Sequence, residues 1–344
     1  MKAIVLESNF ELVYKEVEKP VPAAGEALVS VKAVSICGSD LLRAFHGAAK
    51  KLPLIMGHEC AGEIVEVGPG VPVDNIGRRV ALAPLIPCMQ CLACQHGVYS
   101  ACSDYSFIGS RRSGGFAEFL AAPVQNLITL PEQVEYQVGA ILEPATVALH
   151  AIMRSGSPEG KKIAIFGSGS IGLCIVQWAR ILGAAEIIAS DVSEENRQRA
   201  RSFGAHHCLN PLRDDVMGKV MEITGEGADI AFEVAGLPQT LDQAVDSLRP
   251  RGVVVCVGNL PGDATLPASL IERTIRKELD VRGTWMSYSA PFPGPEWTES
   301  MAALMRGELE MQAMISHCFP LSEISIFEKL AQNTFPHQKI ILVP

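Results

Sequence analysis

Four cysteines in the run Cys88-x2-Cys91-x2-Cys94-x7-Cys102 are the residues most plainly spaced for chemistry. In a loop flanked by Pro84, Pro87 and Gly97, thiolates at this spacing close a tetrahedral all-sulfur zinc site, and the metal holds together a segment with no apolar core of its own. An iron–sulfur cluster would need a ferredoxin-type spacing that the run lacks, and three evenly spaced cysteines do not form a redox pair. His96 lies inside the loop but is surplus to four thiolates, and it reads as solvated. Two more groups of the same kind stand earlier, Cys37 in Cys37-Gly38-Ser39-Asp40 and His58 in Gly57-His58-Glu59. A thiol and an imidazole on neighbouring loops could hold Zn²⁺, given one further protein ligand and an open position if the metal is catalytic. The same pair also suits a small buried cysteine and a satisfied polar histidine.

A second chemistry is written at residues 162–191. The apolar run 162–166 reads as a buried strand, Gly167-Ser168-Gly169-Ser170-Ile171-Gly172 as a GxGxxG turn, 173–182 as a helix and 186–190 as a second strand ending at Asp191. This is a dinucleotide fingerprint. Gly167 permits the tight turn, Gly169 lets the backbone approach a pyrophosphate at the helix N-terminus, and Gly172 lets helix and strand pack closely. Asp191 falls where an acid accepts hydrogen bonds from the adenosine ribose. It would repel a 2′-phosphate and so points to NAD, although Arg197 lies only six residues on.

Elements must position these groups. Short β-rich runs at 4–6, 28–34, 62–67 and 79–83, separated by turn signals such as Pro69-Gly70 and Asp74-Asn75-Ile76-Gly77, predict a largely antiparallel domain before the nucleotide fold. Beyond Asp191, strands at 229–234 and 253–257 flank a helix at 241–248 and predict a doubly wound parallel sheet, with backbone around Gly236 and Gly258 either lining the nicotinamide end of the groove or simply making turns. The run 279–285 reads as the last strand of that sheet, and from about Met286 the chain returns through two helical stretches to a closing strand at 340–343.

Composition narrows the class. The chain has 344 residues, 48% hydrophobic and 19% charged, which is globular and large enough for two domains. A net charge of −9 and no long basic run give nothing to neutralise a phosphate backbone, so nucleic acid is not an expected partner. Neither a signal peptide nor an apolar run of membrane-spanning length is visible, and ten cysteines clustered for metal binding suit a reducing compartment, so the expected location is the cytoplasm. Cys60, Cys174, Cys208, Cys256 and Cys318 have no motif partners and read as ordinary core or surface residues.

Taken in order, Cys37-Gly38-Ser39-Asp40, Gly57-His58-Glu59, the four-cysteine lobe, Glu143-Pro144 and the GxGxxG turn resemble the zinc-dependent medium-chain dehydrogenase/reductases of the polyol dehydrogenase branch. The resemblance spans essentially the whole chain. It implies an α/β protein, a Rossmann sheet joined to a mainly antiparallel GroES-like catalytic domain. The expected domains are residues 1–147 with a zinc lobe at 84–104, a cofactor domain at 148–286 and a return at 287–344. It implies two zinc ions per chain, a catalytic one held by Cys37, His58 and Glu143 and a structural one held by Cys88, Cys91, Cys94 and Cys102, with NAD as cofactor. Glu143 also has a plain reading, as an acid favoured at the start of a helix that Pro144 opens. Glu59 is implied as an alternate zinc ligand or as a support behind the ligands, and Ser39 as the first proton relay, passing a proton to the cofactor ribose. Some alcohol dehydrogenases continue that relay with a histidine where this chain has Leu42; His46 is nearby in sequence.

Gly167, Gly169, Ile171, Gly172, Asp191 and Gly258 would bind the cofactor, and Lys339 would reach its pyrophosphate, although Gln338 replaces the usual preceding glycine. Arg111 and Arg112 could clamp a phosphate, or equally form surface ion pairs; Arg112 has counterparts in relatives acting on unphosphorylated substrates. The implied activity is hydride transfer from a secondary alcohol of a polyol or polyol phosphate to NAD, in a homodimer or homotetramer whose subunits pair along the last strand. Free polyols, butanediol and threonine are the alternative substrates within that chemistry. A non-catalytic dinucleotide-binding protein is the alternative outside it, and the intact Cys37, His58 and Glu143 speak against that.

Overall fold

Runs of consecutive buried residues, Ala3 to Leu6 and Ala27 to Val29, lie in Lys2–Ser8 and Glu26–Ser35, and the computed structural model, which describes residues 1–260 and 262–344, makes both into strands. The chain divides into two compact units, one of Met1–Glu143, Tyr288–Met301 and Met311–Pro344, the other of Pro144–Ser287 and Ala302–Glu310. Divisions expected after residues 147 and 286 therefore fall at Glu143/Pro144 and Ser287/Tyr288, and a short piece of the return segment belongs to the second unit.

In the first unit the main sheet has the order Leu127–Thr129, Arg79–Leu82, Glu59–Val67, Glu26–Ser35, Lys339–Val343 and Ile315–Pro320, with Phe119–Pro123 also paired to Glu26–Ser35. Its pairings are antiparallel except the last, where Ile315–Pro320 runs parallel to the closing strand. The expectation for the return, two helical stretches and a closing strand, did not include this strand. Its alternation is broken by Ser316, His317 and Cys318, which are only partly buried or exposed, so it carries no apolar period. Ile4, Leu6, Val29, Val34, Ile64, Phe116, Phe327 and Leu342 form the core between this sheet and its covering elements.

The second unit holds a wholly parallel six-stranded sheet in the order His207–Leu209, Glu186–Ser190, Lys162–Phe166, Ala228–Glu233, Leu248–Cys256 and Asp280–Gly283. In chain order this is 3-2-1-4-5-6, the doubly wound arrangement, and the order reverses between Lys162–Phe166 and Ala228–Glu233. Ile163 to Phe166 are all buried, as expected for a strand covered on both faces. Helices follow the strands at Ser170–Ile181, Glu194–Ser202 and Pro238–Asp246, the last ending earlier than read from sequence because Leu248 already opens the next strand. Among the described residues no helix is long and apolar enough to cross a membrane.

Candidate metal centre and dinucleotide site

Cys37 stands immediately before the helix Gly38–Phe45, with extended backbone. Its N–H donates to Asp40 Oδ2 at 3.1 Å, which ties the start of the helix to a completely buried carboxylate. Asp40 Oδ1 lies 3.5 Å from His58 Nδ1. His58 enters the site from a turn at Gly57, whose φ of +87° and whose closeness to Phe116 exclude any side chain; a Cβ there would sit 2.8 Å from the Phe116 ring. Glu59 follows as the first residue of its strand, 1% exposed, and both its oxygens accept from Lys339 Nζ at 2.6 Å.

Ligand atoms of Cys37, His58 and Glu59 lie within 4.8 Å of one another. The trio implied by resemblance had Glu143 as the third ligand and Glu59 as an alternate one, and it is the alternate that stands in this close group. Glu143 lies in the first turn of Leu142–Ser155, two residues into a helix that begins before Pro144. It still shares the group's electrostatics. Burial pushes its carboxyl up to about 7, the positive charges of His58 and Lys339 oppose the rise, and the carboxylates of Glu59 and Asp40 add to it. For Asp40, burial is outweighed by His58 and Arg43, and its carboxyl falls below the usual range. Burial also disfavours charge on His58, yet Asp40 and Cys37 overcome it and raise the imidazole well above its ordinary value. The buried region thus gathers Cys37, Asp40, Glu59 and Glu143 against the fixed cations Lys339 and Arg43. A surplus of buried acidic donors with sulfur, nitrogen and oxygen among them fits a divalent zinc with a position left open.

The second cluster needs no such weighing. Sulfurs of Cys88, Cys91, Cys94 and Cys102 lie within 4.8 Å of one another, with Cys91 and Cys102 at 3.8 Å. Backbone N–H groups of Cys88 and Cys91 donate to the sulfurs of Cys102 and Cys88 at 3.3 and 3.4 Å, an arrangement suited to thiolates. Backbone donors lower the Cys91 thiol to about 5, whereas burial lifts Cys94 to about 12. The lobe is anchored by Tyr99, edge-on to Phe292 at 5.5 Å, and by Ser100, whose hydroxyl accepts the Tyr288 N–H at 3.3 Å.

In the second unit Gly167 has φ +102°, and a Cβ on Gly172 would lie 2.0 Å from the Gly167 carbonyl oxygen, so both positions require glycine. Gly169 caps the helix Ser170–Ile181, which carries Ile171 in its first turn. Asp191 accepts the N–H of Ser168 on one oxygen at 2.7 Å and that of Ser193 on the other at 2.8 Å. Its carboxylate is therefore held beside the glycine turn. Arg197 donates to the Asp191 carbonyl at 2.6 Å, pairs with Glu194 and is 8% exposed, so its guanidinium is already engaged. Sequence reasoning missed Glu233. This buried acid accepts from Gly236 N–H at 2.8 Å and Thr240 hydroxyl at 2.7 Å, while its carbonyl accepts from Gly258 N–H at 3.0 Å, fixing both loops at the sheet's reversal.

Other expected residues are placed differently. Lys339, expected at a pyrophosphate, is 3% exposed and donates to both oxygens of Glu59, a buried carboxylate that demands a partner. Arg112 is held by Glu26 at 2.7 Å and by the Ala121 carbonyl at 3.3 Å, an ion pair rather than a phosphate clamp. Arg111 is exposed, stacked over Tyr105 at 4.0 Å and bonded to that residue's carbonyl at 3.1 Å. Ser39 accepts from Arg43 at 2.9 Å, and Leu42 and His46 are exposed. Asp40 and Arg43 went unread although their spacing from Cys37 and Ser39 was a local signal; only the approach of His58 to Asp40 is chosen by tertiary folding.

Comparison with known proteins places this geometry. Residues 23–132 match the alcohol dehydrogenase GroES-like domain, and residues 170–305 match the zinc-binding dehydrogenase model. The chain belongs to the zinc-binding medium-chain dehydrogenases, in their polyol dehydrogenase branch: an oxidoreductase of small alcohols that works with zinc and a nicotinamide dinucleotide. It is 37% identical to galactitol 1-phosphate 5-dehydrogenase of Escherichia coli (strain K12) over 326 residues, covering 93% of this chain and 92% of that one. It is 34% identical to L-threonine 3-dehydrogenase of Pyrococcus horikoshii over 307 residues, covering 88% and 86%. The crystal structure of galactitol-1-phosphate dehydrogenase from Escherichia coli superposes with a TM-score of 0.94 at 36% identity over all of both chains.

Proposed function

We propose that this chain oxidises a secondary alcohol of a polyol phosphate with NAD, converting galactitol 1-phosphate to tagatose 6-phosphate. The observation that carries the reading is its likeness, along nearly its whole length, to the galactitol 1-phosphate enzyme. Bound zinc would supply a Lewis acid that makes the substrate hydroxyl easier to deprotonate, and NAD would accept the hydride. The chain's own residues do the rest. Cys37 and His58 hold the metal with a carboxylate from Glu59 or Glu143, and Asp40 orients His58. Ser39 Oγ takes the proton released by the alcohol and gives up its own. Gly167, Gly169, Ile171, Gly172 and Gly258 present backbone to the dinucleotide, and Asp191 accepts from the ribose hydroxyls. The engaged state of Arg197 supports NAD over its 2′-phosphorylated form.

Arg111 is the residue we assign to the substrate phosphate. Arg112 supports Glu26 instead. The subunits assemble as a dimer or tetramer through the edge strand Asp280–Gly283 and the residues just after it, where Val281 is 55% and Trp285 51% exposed, and cysteines not joined in disulfides suit the cytoplasm. Formation of NADH, followed by absorbance, tests the substrate on galactitol 1-phosphate, sorbitol 6-phosphate, galactitol, sorbitol, threonine and 2,3-butanediol. Turnover confined to galactitol 1-phosphate is expected, with Arg111→Ala raising KM for it by about tenfold, the scale of one charge-assisted contact. Turnover of a free polyol or of threonine instead would keep the chemistry and remove the phosphate.

A further inference from the structure

Along the helix Gly38–Phe45, Ser39 and Arg43 are four residues apart and Asp40 and Arg43 three, so all three side chains share one face. One nitrogen of Arg43 reaches both neighbours, Ser39 Oγ at 2.9 Å and Asp40 Oδ1 at 3.1 Å. That nitrogen carries two hydrogens, one for each. The Arg43 side chain is 16% exposed and Asp40 is completely buried, so the contact is shielded from competing water. Asp40 in turn accepts the N–H of Cys37 with its other oxygen and faces His58 with the oxygen that Arg43 touches. A single guanidinium thereby stands behind the hydroxyl and behind two of the metal-holding residues.

We propose that Arg43 is a positioning residue of the reaction, fastening the Ser39 hydroxyl to the Asp40 carboxylate so that the hydroxyl's own hydrogen is turned outward and Cys37 and His58 are held in place. The inference rests on the reading of this site as a zinc alcohol dehydrogenase centre. Arginine suits the role because it stays charged and so neither takes nor gives the proton. With one lone pair of Ser39 Oγ occupied by Arg43, the hydroxyl has a defined side on which to receive a proton and a defined direction in which to release one. Leu42, beside it and half exposed, has no donor or acceptor to offer, so Arg43 is the polar neighbour that the helix supplies. Its place in the last turn is one where a cation is favoured by the helix dipole.

Arg43→Met removes both donors at nearly constant length, and Arg43→Lys keeps a cation with several hydrogens. Two measurements on the zinc-loaded chain decide the matter. The first is the rate at which zinc passes to a chelating dye. The four-cysteine site provides a slow reference phase, and the faster phase should accelerate in Arg43→Met by about tenfold, the lower end of effects seen for residues that support ligands. The second is kcat, KM and the solvent deuterium isotope effect: kcat falls by about tenfold with KM within twofold, the isotope effect grows, and Arg43→Lys recovers most of both losses. Zinc release and isotope effect unchanged in Arg43→Met, even with a lowered melting temperature, would overturn the proposal. Zinc release needs no substrate, so in a chain that oxidised none of the tested alcohols it would still decide whether Arg43 holds the metal ligands in place.

Discussion

Lys339 and Glu59 are 280 positions apart and meet at 2.6 Å in the interior. Taking both charges out of water is unfavourable, and only their mutual attraction and bidentate geometry offset it. Lys339→Met therefore leaves a buried carboxylate without its cation and should destabilise the chain by about 3–5 kcal/mol, read from the urea midpoint at neutral pH. A loss well under 1 kcal/mol would mean that Glu59 finds another partner. Burial alone would lower the Lys339 pKa, but Glu59 and the neighbouring acids raise it above the usual lysine value. A raised folded pKa contributes stability that is whole below about 10.4, the unfolded value, and is lost only as pH climbs through the folded one. The lysine's contribution is thus constant across the neutral range. No sequence pattern could announce this contact; the expectation for Lys339 came from its place just before the closing strand. The four cysteines were legible because their partners lie within fifteen residues, where spacing itself encodes geometry.

Elements repeat the contrast. The strand-turn-helix-strand from Lys162 to Ser190 was readable because buried parallel strands are continuous apolar runs and the turn has strict glycine requirements. Ile315–Pro320 was not, since its polar residues satisfy neither period. What holds the sheet's bottom edge was also hidden. Asp229, at the start of Ala228–Glu233, accepts the N–H of Lys162 at 2.8 Å on one oxygen and Arg249 at 2.8 Å on the other, joining three strands. Burial works to raise its pKa, but the Lys162 N–H and the Arg249 guanidinium win and lower it. A depressed carboxylate contributes stability that is present above about 3.9, the unfolded value, and is lost as pH falls through the folded one. Asp229→Asn should cost about 1.5 kcal/mol at pH 7, with the gap to the parent chain closing below about pH 4. Urea unfolding at both pH values checks this, and a gap that persists in acid would assign the effect to packing.

Across the whole molecule, the residues proposed for the metals and those proposed for the dinucleotide belong to different units. Cys37, His58, Glu59, Glu143, Lys339 and the four lobe cysteines all belong to the first, assembled from three stretches of chain with its closing strand between Glu26–Ser35 and Ile315–Pro320. The glycine turn, Asp191, Glu233 and Gly258 all belong to the second. The two-part division was legible from the change between β-rich and alternating α/β patterning. The transfer of Ala302–Glu310 to the second unit was not, because it depends on Arg180 and Gln177 bonding to Glu308 and Glu310, both at 2.7 Å. Separate construction has a measurable consequence. The second unit's sheet and loops are completed by its own residues, so stripping zinc with a chelator should abolish turnover while NADH, followed by its fluorescence, still binds with a Kd within about twofold of the parent value, well under the 1.4 kcal/mol that a tenfold change represents. The four-cysteine lobe, whose order depends on its metal, should become open to proteolysis under the same treatment. Loss of NADH binding in step with the metal would show instead that the dinucleotide site depends on the zinc-bearing unit for its shape.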